Sequence, residues 1–221
     1  MSRKFFHITV LLLLGIAAAA CTAAPPASSM PVQPTQAMMD ATPTSDGVMA
    51  TPSAESSMGM PETGVTGKKM DANPPWFKLA LTDVRTGKSF SIADFSGKVV
   101  LLEDMATWCP NCLAQQKQVK AMLEQMGMVD DLVVVGLGVD LNEDAALMKS
   151  YVEQNGFDWK YAVATPEVAG DINTLYGAQF LNPTSTPMMI VDRSGNVFLL
   201  DFGIKSADTL QKALAPHLAM K

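Results

Sequence analysis

The chain has 221 residues, 48% of them hydrophobic and 17% charged, with a formal net charge of −6. At about 150 residues per domain this allows one domain plus a substantial extension. A chain this acidic cannot release counterions from a phosphate backbone, which sets nucleic acid aside as a partner; three cysteines are too few for a disulfide-rich scaffold, and two histidines leave little for a His-based metal site.

The chain opens with Arg3 and Lys4, then an apolar run over residues 8–20 whose last members, Ala18, Ala19 and Ala20, lead directly into Cys21. This run is shorter than the roughly 18 residues a membrane span needs, so residues 1–21 are predicted to be an export signal. An apolar run ending in small residues and a cysteine resembles a bacterial lipoprotein lipobox, with Ala18 where leucine is commonest. The resemblance implies that Cys21 becomes the mature N-terminus and carries a lipid anchor to a membrane. Ordinary cleavage after Ala-x-Ala, or an uncleaved anchor, are the alternatives. All three put the rest of the chain outside the cytoplasm, in the periplasm or on the outer face of the cell membrane.

Residues 22–75 are rich in Pro, Ser, Thr, Ala and Met and contain no aromatic residue. They cannot bury enough apolar surface to offset their ordering entropy and are predicted to be a tether. As a coil the segment would reach roughly 40 Å. Seven of the sixteen methionines fall here, with Met58 and Met60 the tightest pair. Either they are compositional drift in a linker, or they form a soft thioether site for Cu(I).

From Trp76 to residue 221, strand-like and helix-like segments alternate. Short strands are expected at 77–81 and 88–91, around the turn at Thr86-Gly87. A strongly apolar strand follows at 99–105. Leu113, Val119, Met122, Leu123 and Met126 share one face of a helix over 110–126. Residues 132–139 form a continuous apolar run of the kind buried on both faces of a parallel sheet. Asn142 is expected to cap a helix ending at Gly156. A short strand follows at 161–164, and Thr165-Pro166 opens a helix toward Tyr176. Strands at 188–191 and 197–202 flank the hairpin signal Asp192-Arg193-Ser194-Gly195, and Ser206 caps a last helix to about residue 218. The pattern gives an α/β sandwich with a mixed sheet.

Trp108-Cys109-Pro110-Asn111-Cys112 falls where the apolar strand hands over to the helix. Cys109 then lies at a helix N-terminus, where unpaired N–H groups and the dipole favour a thiolate. Cys112 meets it on the first turn, and Pro110 suits a position whose N–H is not needed. Redox catalysis is the reading favoured here over a zinc pair, which would want two further ligands where the domain offers only His217, or a static disulfide.

At these residues a family resemblance becomes specific. Gly97-Lys98-Val99-Val100-Leu101-Leu102 followed by Ala106-Thr107-Trp108-Cys109-Pro110-Asn111-Cys112 resembles the TlpA/ResA-like branch of the thioredoxin superfamily. Residues 77–83 with Gly87-Lys88 resemble that family's N-terminal hairpin, Thr186-Pro187 its cis-proline loop, and 192–196 the hairpin that follows. The resemblance covers residues 76–221. It implies a thioredoxin-like three-layer sandwich with a central mixed sheet, an N-terminal β-hairpin extension and a helix–strand insertion.

By the same likeness the chain is expected to be a monomeric thiol–disulfide oxidoreductase with no cofactor beyond its redox-active disulfide. Its partners would be exported proteins with disulfides, in cytochrome c or copper-centre assembly, and a membrane or extracytoplasmic thiol donor. Cys109 would be the exposed nucleophile, Cys112 the resolving thiol, and Trp108, Pro110, Asn111, Thr186 and a cis Pro187 their surroundings. Glu103 stands where thioredoxins keep a buried proton-relaying acid, and is either that relay or a strand-end charge. Asp104 and Met105 replace the Phe-Trp pair common in the family. The alternatives are a copper-binding assembly factor using the tether methionines and the cysteine pair, and a peroxiredoxin-like peroxidase.

Two other motifs break down. Gly136-x-Gly138 lacks the third glycine of a dinucleotide fingerprint, and Asp140-x-Asn142-x-Asp144 has Ala145 where a calcium loop needs glycine. Asp130-Asp131 and Glu143-Asp144 are expected to be solvated element ends.

Overall fold

A computed structural model describes residues 67–220. The expected export signal, Cys21 and the expected tether up to residue 66 lie outside the described residues. In chain order the elements are β1 (Lys68–Ala72), β2 (Leu81–Thr82), β3 (Ser89–Phe90), β4 (Val99–Met105), α1 (Pro110–Met126), β5 (Leu132–Gly138), α2 (Ala145–Asn155), β6 (Lys160–Val163), α3 (Pro166–Tyr176), β7 (Met188–Val191), β8 (Asn196–Leu199) and α4 (Ala207–Ala219). One six-stranded sheet runs β1-β8-β7-β4-β5-β6, while β2 and β3 pair as a separate hairpin.

β4 lies inside the sheet, parallel to β5 and antiparallel to β7, and every one of its residues is buried. Side chains alternate along it, so parity decides which layer each one enters. Val99, Leu101 and Met105 pack toward α1, α2 and α4. Val100 and Leu102 pack toward α3 and the 3-10 turns at Pro75–Lys78 and Ala178–Leu181. The mixed sheet, the hairpin and the α2–β6 insertion form the three-layer sandwich the resemblance implies.

Helix ends follow local chemistry. Thr165 Oγ1 accepts from Val168 N ahead of Pro166, and Ser206 Oγ accepts from Thr209 N. α2 is capped by Asp144 rather than Asn142, because the Asp144 carboxylate accepts from Leu147 N at 2.8 Å while Asn142 binds back to Asp140. The glycines of the broken dinucleotide motif have a packing reason instead. A Cβ on Gly136 would collide with the Tyr161 ring, and one on Gly138 would meet Met148 Cε at 2.5 Å.

Three expectations are corrected. The folded unit begins before Trp76: β1 pairs antiparallel with β8 through Lys68↔Leu199 and Lys69↔Phe198, and Met70 packs against the core beneath it. Residues 77–81 are not a strand, since a 3-10 turn at Pro75–Lys78 buries Trp76 and Phe77 and leaves only Leu81–Thr82 to pair with β3. Asp131 is not simply a solvated end, because it meets Arg193 Nη2 at 3.0 Å, and the same guanidinium donates to the Gly97 and Met220 carbonyls.

Candidate active site

β4 delivers Met105 into the core, and Ala106-Thr107-Trp108 carry the chain to Cys109. Cys109 is the N-cap of α1 (φ −85°, ψ 112°), Pro110 occupies the first turn, and Cys109 Sγ accepts from Cys112 N at 3.1 Å. The two cysteines form a disulfide, with their Cα atoms 5.3 Å apart. An N–H aimed at that sulfur, together with the positive end of the helix dipole, favours a thiolate at Cys109 in the reduced form. Cys112 Sγ lies 3.1 Å from the Pro183 carbonyl oxygen, a partner for a thiol and a repulsive neighbour for a thiolate.

Cys109 was expected to be exposed, but it is 1% exposed and Cys112 is fully buried. Its sulfur is turned inward onto Cys112. The surface of the site is presented instead by Trp108, Pro110 and Asn111. Trp108 Nε1 donates to Asp140 Oδ2 at 2.8 Å, and Asn111 Nδ2 donates to the Thr184 carbonyl at 2.8 Å, closing the segment before β7 over the pair. Thr107 N and Oγ1 both donate to Glu143 Oε1. Glu143 is buried, so the solvated end expected there is corrected. Its carboxylate takes the place of the water that the β4–α1 loop donors would otherwise need.

The cis expectation at Pro187 is also corrected: there is no cis peptide bond among the described residues, and the Thr186–Pro187 bond is trans. Thr186 makes the bend itself, in a left-handed conformation (φ 46°, ψ 61°) held by Thr186 N donating to the Pro183 carbonyl at 2.9 Å. Pro187 then runs straight into the sheet, where its carbonyl accepts from Asp104 N at 3.0 Å.

Beneath the disulfide lies a buried polar network. Glu103, 3% exposed, accepts from Gln116 Nε2 at 2.9 Å through Oε2, while Oε1 has no partner. Tyr161 donates its hydroxyl to Gln116 Oε1. Burial holds the Glu103 carboxyl well above its ordinary range; the positive charge of Lys205 and the Gln116 hydrogen bond oppose this in part. Lys205 donates from Nζ to the carbonyls of Thr186 (2.9 Å) and Gly203 (2.6 Å). Its own backbone is gripped by Gln115, whose Oε1 accepts from Lys205 N at 2.7 Å and whose Nε2 donates to Lys205 O at 3.1 Å. Burial pushes the Lys205 ammonium down to about 8.

The sequence therefore locates the cysteines, Glu103 and the Thr186-Pro187 bend, which the fold brings together at one end of β4. Gln115, Gln116, Lys205, Glu143 and Asp140 escaped it. The glutamines carried a signal, since positions three and four after Cys112 share its helix face. Lys205 carried none, as it reaches the site from a loop 90 residues beyond Gln115.

No protein-family model matches the chain. Thiol-disulfide oxidoreductase ResA of Bacillus thuringiensis subsp. konkukian is 29% identical over 147 residues, covering 66% of this chain and 79% of that protein. ResA of Bacillus cereus matches with the same identity and coverage. Among solved structures, a thiol:disulfide interchange protein of the thioredoxin family from Chlorobium tepidum aligns with TM-score 0.52 at 24% identity, over 67% of this chain and 99% of that one. A secreted Mycobacterium tuberculosis disulfide oxidoreductase homologous to E. coli DsbE aligns with TM-score 0.51 at 17% identity, over 63% and 96%. At these identities the two structures show the thioredoxin fold. The fold, the curated relatives and the CxxC pair at the start of α1 agree: the chain is a thiol–disulfide oxidoreductase of the thioredoxin fold, similar to ResA.

Proposed function

We propose that the protein reduces disulfides in exported proteins, with Cys109 as nucleophile, Cys112 as resolving thiol and Glu103 as the acceptor of the Cys112 proton. The observation that carries this assignment is the asymmetry of the two sulfurs: Cys109 Sγ receives a backbone N–H, while Cys112 Sγ faces a carbonyl oxygen. The Cys109 thiolate attacks a substrate disulfide, forming one S–S bond as the substrate's breaks and releasing a thiolate that takes a proton from water. Cys112 gives its proton to Glu103 and attacks Cys109 Sγ. The Cys109–Cys112 disulfide forms, the second substrate thiolate leaves and is protonated, and two electrons have passed to the substrate.

The export signal and Cys21 support an extracytoplasmic, lipid-anchored location, with the tether letting the domain meet partners near the membrane. Exported proteins whose cysteines later bind haem or copper are the substrates the family resemblance favours, with a membrane or extracytoplasmic thiol as electron donor.

Trapping tests the assignment. Cys112→Ser is expected to accumulate a mixed disulfide with substrate at Cys109, while Cys109→Ser traps nothing and loses turnover by at least about a thousandfold. Turnover retained by Cys109→Ser would overturn it. The reduction potential of the pair, measured on the same protein, decides the direction: a reductant needs a potential more negative than its substrates'.

A further inference from the structure

We propose that Lys205 is a positioning residue for the exchange reaction, holding the Thr186–Pro187 bend against the cysteine pair and facing Glu103 with its positive charge. The proposal rests on the reading of Glu103 as the acceptor of the Cys112 proton.

The position of this lysine has no structural economy of its own. Lys205 is 8% exposed although a lysine side chain could reach solvent. It stands directly before Ser206, the N-cap of α4, where the helix dipole opposes a cation. Burial and dipole both work against a charge here, so what holds it is the set of partners it meets.

Those partners belong to three segments that converge on the disulfide. Gln115, one turn after Cys112, grips the Lys205 backbone at both N–H and carbonyl. The ammonium reaches the Thr186 carbonyl, immediately before Pro187. It also reaches the Gly203 carbonyl, while Gly203 N donates to Ser185 O at 2.9 Å. α1, the bend before β7 and the loop after β8 are thus joined through one residue, α1 at its backbone and the other two at its ammonium. Thr186, in its left-handed conformation with an unpartnered Oγ1, is otherwise held by its N–H donating to the Pro183 carbonyl.

The charge matters as much as the hydrogen bonds. The titratable groups around Glu103 are Asp104 on its own strand, Tyr151 on α2, Tyr161 on β6 and Lys205. Both tyrosines are pushed upward by burial and by Glu103 itself, so they stay neutral. Asp104 opposes ionisation of Glu103. Lys205 is the cation that favours it, and Asp201 is the other carboxylate acting on Lys205. Without Lys205, a carboxylate at Glu103 would have only Gln116 to stabilise it.

The test follows resolution of the mixed disulfide by Cys112 as a function of pH in the full-length protein, using a glutathionylated peptide. In the wild type the rate is expected to rise along a limb set by Glu103, and Glu103→Gln is expected to lose that limb. Lys205→Met and Lys205→Gln are expected to move the limb upward by about one pH unit, a tenfold slower rate at any pH below it. Lys205→Gln retains a donor for the two carbonyls, so it keeps the charge question open to measurement even where Lys205→Met fails to fold. Lys205→Met, lacking the donor, is also expected to raise KM for the peptide, and Lys205→Arg is expected to restore the limb. A limb that stays in place in Lys205→Gln, while Glu103→Gln has lost it, overturns the Lys205 proposal and leaves Glu103 standing. A wild-type limb in Glu103→Gln overturns both.

Discussion

Glu103 and Asp104 are neighbours on one strand, both buried, and desolvation raises the carboxyl pKa of each well above its ordinary range. The pleat sends them into different layers. Glu103 enters the layer of α1 and α4 and finds Gln116, Tyr161 and Lys205. Asp104 enters the layer of α3 and the Trp76 turn, where neither of its carboxyl oxygens has a partner. The indole of that layer, Trp76 Nε1, donates to Tyr176 Oη at 3.2 Å. A buried carboxyl without partners costs more than one hydrogen bond returns, roughly 1–3 kcal/mol against about 1. The same residue chemistry therefore has polar partners on one face, as the proposed proton transfer needs, and on the other has none and only weighs on stability.

The sharpest way to break this contrast is to neutralise each acid in turn. Glu103→Gln is expected to slow exchange near neutral pH by about a hundredfold while leaving the fold intact; stopped-flow exchange with a peptide disulfide measures it. Asp104→Asn is expected to leave the exchange rate within about twofold. Equal rate losses in both variants would end the distinction between the faces.

Asp104→Asn should appear in stability instead. Folding raises the Asp104 pKa, so the folded state keeps a proton that the unfolded chain has released. The associated stability is full below the ordinary carboxylate range and is lost as pH rises through and above it. The variant is expected to be more stable than wild type by about 1–3 kcal/mol at pH 7, with the gap closing toward pH 3, read by denaturant melts across that range. Smaller still is the effect of Tyr176→Phe, which removes the acceptor for Trp76 Nε1 and is expected to cost about 1 kcal/mol in the same melts.

Elements with local signals were legible in the sequence. Pro110 fixes the start of α1 and Thr165-Pro166 the start of α3, because each cap or first-turn residue acts within three or four positions of itself. The cysteine pair was legible for the same reason, as a spacing on one helix, and Glu103 was legible only through the family resemblance. What could not be read depends on partners distant in the chain. β1 is a polar stretch, Lys-Lys-Met-Asp-Ala, with no periodicity to mark it, and it becomes a strand only because β8 offers an edge. Lys205 needed Gln115 and Thr186, and Glu143 needed Thr107, 36 residues earlier. Trp76 misled in the opposite sense: an aromatic-rich stretch suggests a strand, but Pro74 and Pro75 withhold two ladder donors.

β1 carries one further consequence. Without it, Val197, Phe198 and Leu199 of β8 would present a bare apolar border to solvent, a template onto which a second copy could add its own backbone. With β1 in place the border becomes Lys68, Lys69 and Asp71, whose charges repel an incoming strand. The first strand of the described fold thus doubles as a charged guard along the sheet border, set against the addition of a foreign strand.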